Sequence, residues 1–169
     1  AGRPARAAVV VPNGTLFGDG VCARIKEELL KSFNLHTIVR LPNGVFAPYT
    51  PIPTNLLFFD TSGPTKDIWF FEHTIPEGRK HYTKTQPLKY PDFEPCLNWW
   101  NHREVNESAW MTPVSEIRAA NYNLDQRNPN KKSLVDELAP AEAALRILQS
   151  EREILAILER LVDSMSEGA

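Results

Sequence analysis

Ala7-Ala8-Val9-Val10-Val11 is a continuous apolar, β-branched run that Pro12-Asn13-Gly14 stops, the pattern of a strand buried on both faces and so central in its sheet. Val21, Ile25, Leu29 and Leu30 then recur near one face of a helix, with Arg24, Lys26, Glu27 and Glu28 mostly on the other. Asp19 is the expected cap, and the helix should end near Phe33. Leu35-His36-Thr37-Ile38-Val39-Arg40-Leu41 restores β character until Pro42, which predicts a right-handed βαβ unit with parallel strands. Two further apolar runs, Asn55 to Asp60 and Asp67 to Glu72, are joined by a short segment containing Gly63-Pro64, which predicts an antiparallel hairpin. The fold class is therefore α/β with a mixed sheet, parallel first and antiparallel at its end.

Periodicity fades after that. Residues 76–132 intersperse prolines, tryptophans and polar residues, and read as an ordered but irregular wrap with only short helical stretches such as Ser115 to Ala120. Trp69, Trp99, Trp100 and Trp110 are expected to cover a sheet edge as packing groups rather than to stack on bases. From Pro140 to Met165 helical spacing returns: Ile147, Ile154 and Leu161 lie seven apart, Leu158 and Met165 fall in the intervening positions, and Leu148, Leu155 and Val162 run beside them. This stripe fits docking onto a partner helix, and it equally fits packing back on the chain's own body.

Composition adds limits. At 42% hydrophobic residues the 169-residue chain has the balance of an ordinary globular domain plus an appendage, and no apolar run approaches the roughly 20 residues of a membrane helix. Neither does Ala1 to Ala8 have the apolar core of a signal peptide, so a cytoplasmic location without membrane contact is expected. The net charge of -2 divides unevenly: residues 133–169 carry eight acidic and three basic side chains, the rest thirteen and sixteen. A body of +3 is compatible with an anionic partner and equally with ordinary surface charge. Cys22 and Cys96 lack the number and spacing of a disulfide framework, and His36, His73, His81 and His102 form no ligand motif, so no metal is assigned.

Candidate chemistry is sparse. Gly14, Gly18 and Gly20 sit between strand and helix, where a nucleotide loop would lie, but their spacing is not G-x-G-x-x-G and the next strand ends in Arg40-Leu41-Pro42 instead of a ribose-gripping acid. A turn and close helix packing account for them better. No nucleophile elbow or catalytic pair is present, so the chain is not expected to catalyse by itself. The stretch Val45 to Asn55 concentrates aromatic and polar residues before a strand. It suits a pocket for a planar group, Tyr49 stacking and Thr54 or Asn55 hydrogen-bonding, and it also suits a surface connection stiffened by prolines.

In their order, Ala7-Ala8-Val9-Val10-Val11-Pro12-Asn13-Gly14-Thr15-Leu16-Phe17, Leu35 to Thr50 and Thr54-Asn55-Leu56-Leu57-Phe58-Phe59 resemble the C-terminal part of the modification (M) subunit of type I restriction-modification systems, an adenine-N6 DNA methyltransferase. Lys84-Thr85-Gln86-Pro87-Leu88, Asn121-Tyr122-Asn123-Leu124-Asp125 and Asn128-Pro129 look like that family's later landmarks, so the resemblance covers about residues 7–130. It implies the second half of a doubly wound methyltransferase sheet: the fifth strand at Ala7, the sixth at Leu35 and the antiparallel seventh at Asn55. It also implies S-adenosylmethionine as cofactor and DNA as substrate. The family's glycine-rich cofactor motif and its Asn-Pro-Pro-aromatic base-holding motif lie upstream of the matched part, and this sequence contains neither. Asn128-Pro129-Asn130 lacks the second proline and the aromatic.

The resemblance places Tyr49, Thr50, Thr54 and Asn55 on the face where a flipped base enters. It also gives the tail a partner: Ile147, Ile154, Leu158, Leu161 and Met165 would contact the specificity subunit and, through it, the restriction complex. The expected divisions are 1–75 for the sheet half, 76–132 for the wrap and 133–169 for a helical arm. A non-catalytic interaction module is the alternative reading.

Overall fold

The computed structural model describes residues 4–76, 78–79, 81–131 and 140–166, the last span with side chains from 144 to 160. β1 (Arg6–Pro12), β2 (Asn34–Arg40), β3 (Thr54–Asp60), β4 (Asp67–Glu72) and β5 (Ala109–Pro113) form one sheet in the order β1-β3-β2-β4-β5. β3 runs antiparallel to both β1 and β2, β4 runs parallel to β2, and β5 runs antiparallel to β4. The mixed α/β sheet is thus as the sequence indicates, but three of its details are not.

First, β1 and β2 share a direction without touching, because β3 is inserted between them. Second, β3 and β4 form no hairpin. The segment between them passes the start of β2 and is fastened there by the buried Thr65: its Oγ1 accepts from the Leu35 amide at 2.8 Å and donates to the Phe33 carbonyl at 2.8 Å, and its own amide donates to Leu30 O at 2.9 Å. These bonds replace the turn pairing that Gly63-Pro64 suggested. Third, β1 is an edge strand of this sheet, and Val9 and Val10 are 43% and 52% exposed. An apolar run announces burial without saying whether the covering strand belongs to the same stretch of chain.

Alternation along the strands sorts the core onto two faces. Ile38, Leu57, Ile68, Phe70 and Trp110 pack on one face with Leu30 and Ile117, while Val39, Phe71 and Ala109 pack on the other with Cys96 and Trp99. Leu35 joins Ile38 despite an odd spacing because a register shift between Leu35 and Thr37 resets the phase. α2 (Val21–Ser32) and α4 (Val114–Ala119) supply the first cluster, and α3 (Glu94–Asn101) the second, so helices cover both faces as a doubly wound sheet requires. The stretch 76–132 is accordingly more regular than its sequence suggests. It holds two of these helices and the edge strand β5, whose Trp110 stacks on Phe70 with centroids 5.2 Å apart.

α2 presents a different face to the core from the one its apolar residues mark. Ala23, Lys26 and Leu30 are buried, whereas Val21 and Ile25 are more than 60% exposed. Lys26 is drawn in because α1 (Asn13–Phe17) ends against it: Nζ donates to Leu16 O at 2.6 Å and Gly18 O at 2.9 Å, filling carbonyls the short helix leaves unpaired. Burial lowers its pKa, with Cys22 and Asp19 opposing. Asp19 does not cap α2; Gly20 occupies that position at φ 62°, and the Asp19 carboxylate accepts from Asn121 Nδ2 at 3.1 Å. Gly18 is packed tightly, since a Cβ there would lie 2.9 Å from Gly14 O and 3.1 Å from Cys22 Cβ. Turn and packing roles for these glycines fit what is seen.

The chain divides into two units, Ala1–Lys131 and Lys132–Ala169. The second contains α5 (Pro140–Ser166), on which Ile147, Leu148, Ile154, Leu155 and Leu158 are all at least half exposed. The side chains of Leu161, Val162 and Met165 lie outside the described residues.

Candidate functional site

In an open α/β sheet the strand ends leave a crevice at their carboxyl termini, where loops diverge and backbone groups go unpaired. β1, β2 and β4 end on one side at Pro12, Arg40 and Glu72, and antiparallel β3 begins there at Thr54. A cavity of about 560 Å³ opens at this edge, with Asn13, Arg40, Asn43, Asn55, Glu72 and His73 among its lining.

A chain of polar contacts ties its floor together. The Asn55 amide donates to Asn13 Oδ1 at 3.2 Å, and Asn13 Nδ2 donates to Asp125 Oδ2 at 3.3 Å. Asp125 Oδ1 accepts from Arg40 Nη2 at 2.6 Å, and Arg40 Nη1 donates to the Gln126 carbonyl. α1, β2, β3 and the segment after α4 therefore contribute to one network, and Asn13, with donor and acceptor both engaged, is held in a single amide orientation. The strand-end acid that a dinucleotide fold would place after β2 is absent, but a carboxylate still reaches that point, delivered by the returning segment 121–125.

That segment is anchored rather than draped. Asn121 and Tyr122 adopt φ of 53° and 58°, the Tyr122 hydroxyl donates to Glu27 Oε1 at 2.8 Å, and the Leu124 amide donates to Leu16 O at 3.0 Å. Non-glycine residues in this left-handed region persist where surroundings fix them. Asn128, from the Asn128-Pro129 pair, donates to Glu107 O at 2.7 Å and holds the chain, and Lys131 pairs with Glu72 at 2.9 Å.

The loop from Asn43 to Pro53 forms the outer wall and borders a second cavity of about 490 Å³, shared with His81, Tyr82, Thr83 and Lys84. Gly44 has φ 82°, and a Cβ on it would lie 2.0 Å from Tyr82 O, so loop and segment touch backbone to backbone. Tyr82 is fully buried and its hydroxyl lies 3.1 Å from His73 Nε2, while the His73 amide donates to Arg40 O at 2.9 Å. Burial lowers the His73 pKa, against a weaker upward pull from Asp92, so at neutral pH the ring is neutral.

Of the loop residues singled out in the sequence, Asn55 lines the first cavity and Thr50 the second. Tyr49 is 93% exposed and borders neither, and Thr54 is buried with an unpartnered Oγ1. Sequence reasoning passed over Arg40, His73, Tyr82 and Asp125 as site residues. Arg40 and His73 stand where a strand stops, and Asp125 belongs to the matched stretch Asn121 to Asp125, but nothing local announces its partner 85 residues away. Among the described residues no group of three or more His, Cys, Asp or Glu gathers as a metal site, and no helix is long and apolar enough to cross a membrane.

The sheet order, the crevice and the ordered landmarks converge with comparison to known proteins. The chain belongs to the N-6 DNA methylase family, which matches residues 2–137. More narrowly, it is similar to methylase subunits of type I restriction enzymes. The EcoEI methylase subunit of Escherichia coli is 46% identical over 165 residues, covering 94% of this chain and 34% of the relative. The crystal structure of a modification subunit of a putative type I restriction enzyme from Vibrio vulnificus YJ016 superposes with a TM-score of 0.71 at 64% identity, over 75% of this chain and 28% of that one. A structure concerned with complex assembly and conformational transition of the type I R-M system gives 0.72 at 39% identity, over 97% and 36%. The chain thus spans about a third of the length of these relatives.

Proposed function

We propose that this chain is the C-terminal part of a type I restriction-modification methyltransferase subunit that transfers a methyl group from S-adenosylmethionine to adenine N6 in DNA, and that it is inactive without the upstream part. The observation that carries the reading is a crevice whose polar floor is built beside an unpaired sheet edge. Asn13, Asn55 and the Arg40–Asp125 pair form that floor, while Val9 and Val10 on β1 stand exposed for a further strand.

The residues present suit one wall of a cofactor and base site and not the whole of it. The nearest carboxylates are already engaged, Asp125 by Arg40 and Glu72 by Lys131, leaving neither to grip a ribose. When bound, the cofactor supplies an electrophilic methyl group. This chain's part is to shape the cavity beside it: Asn13 and Asn55 fix the floor, and the loop bearing Tyr49 and Thr50, with Thr54 at its end, faces the entering base. Tyr49 has the exposure that stacking on an extruded base requires.

The test is methyl transfer from labelled cofactor to DNA by the longer subunit with its specificity subunit, with this segment present or deleted. Loss on deletion, and restoration when the segment is added back, is expected; full activity after deletion overturns the reading. The exposed stripe of α5 supports the further reading that the tail docks the specificity subunit and links DNA methylation to the restriction complex.

A further inference from the structure

At the opposite end of the sheet, where β2 and β4 begin, a pocket of about 400 Å³ has Arg103 in its lining. The guanidinium carbon of Arg103 lies 4.7 Å from the Trp100 ring centroid and 5.7 Å from that of Trp99. Both tryptophans are held in turn, Trp100 by Phe58 at 4.8 Å and Trp99 by Trp69 at 5.8 Å. Arg103 is half-buried yet makes no hydrogen bond or ion pair among the described residues. Burial lowers its pKa. A cation withdrawn from water without a counter-charge is unfavourable, and an apolar side chain would pack on two indoles without that penalty. Packing against the two indoles holds the head group at the pocket, and a guanidinium fork can grip two oxygens of an oxyanion.

The surroundings supply complementary groups. Lys66 lines the same pocket, exposed and without an ion pair among the described residues. Asn34 Nδ2 donates to Ser62 Oγ at 3.1 Å, and the Ser62 hydroxyl in turn serves the Asp60 carboxylate. His36 Nδ1 is taken by Thr37 Oγ1 at 2.8 Å, leaving Nε2 available, and burial lowers the ring's pKa. Two carboxylates face this end. Asp60 is occupied by the Ser62 amide at 2.8 Å, but Asp67 lies on the pocket rim beside Lys66 as an acceptor. Trp69 and the exposed Met111 add an apolar wall.

We infer that this pocket binds a mononucleotide, its phosphate on Arg103 and Lys66, its base against Trp69 and Met111, and its sugar hydroxyls donating to Asp67. Two cations beside a carboxylate suit one phosphate. An extended duplex, which is held by several neutralised phosphates, would meet Asp60 and Asp67 here with too little positive charge. The inference stands independently of the methyltransferase reading, since the site lies at the other end of the strands and shares no residue with the crevice.

Isothermal titration calorimetry on the intact chain decides it, with adenosine 5′-monophosphate, adenosine, inorganic phosphate and a duplex oligonucleotide as probes. The monophosphate should bind at least about tenfold more tightly than adenosine, with phosphate competing. R103Q should lose that advantage, R103K should keep only part of it because a point charge replaces the fork, and the exposed K66Q should weaken binding with the thermal melt unchanged. Equal affinity for adenosine and its monophosphate, binding indifferent to both R103Q and K66Q, or tighter Arg103-dependent binding of the duplex would each overturn the assignment.

Discussion

Arg40 and Asp125 are 85 positions apart in the chain and 2.6 Å apart in the fold. The pair is about a quarter exposed on each side and joins the end of β2 to the returning segment. Removing one partner strands the other in a partly desolvated place, and also frees the Asn13 amide that Asp125 orients. D125A and R40A should each lower stability by about 2 kcal/mol in urea denaturation, and the double variant should cost less than their sum by at least about 1 kcal/mol. Additive losses would show that the pair is not coupled.

Gly44 makes the backbone contact with Tyr82 that seals loop to segment. G44A combines a disfavoured φ with an overlap against main chain, and should cost about 3 kcal/mol or prevent folding. G14A meets nothing within 4 Å and serves as the neutral control. Comparable melting temperatures for the two variants would rule out the proposed close approach.

Acid sensitivity follows from His73. Its folded-state pKa lies below the ordinary 6.5, so the unfolded chain takes up the proton first. Stability is full above 6.5 and declines as pH falls through the folded value, and His36 contributes with the same sign. Denaturation midpoints should therefore drop between about pH 7.5 and about pH 5. H73Q, which keeps a polar partner for Tyr82, should show a shallower drop; an unchanged slope would remove His73 from the account.

The exposed stripe on α5 yields a fourth expectation. I154E with L158E places charge where partner burial is proposed, at residues 56% and 51% exposed. Co-purification with a specificity subunit should be lost while the melt of residues 1–131 shifts by no more than about 0.5 kcal/mol. Retained binding would mean that the partner docks elsewhere.

Strand existence was readable wherever the signal was local. The valines of β1, the Leu35 to Arg40 run and the helical spacing of α5 each mark an element by composition alone. Adjacency was not readable. Gly63-Pro64 looks like a hairpin turn, but β2 pairs with both strands and lies between them, and Thr65 is bonded to Phe33 and Leu35 instead of closing a turn. β5 was not legible because five residues ending in Pro113 carry too little alternation. Half of the crevice was similarly hidden: Asn55 was legible in the loop pattern, but Asp125 depends on a left-handed turn at Asn121 and Tyr122 that no spacing announces.

The placement of β1 also bears on how such a chain is made. Its partner residues, Thr54 to Asp60, emerge from the ribosome roughly 50 residues later, a delay of about 2 to 10 seconds at ordinary synthesis rates. During that interval a valine-rich strand has both edges open. Until β3 arrives, the order of translation leaves that strand open to pairing with any other exposed edge, a hazard that docking of β3 removes on one side.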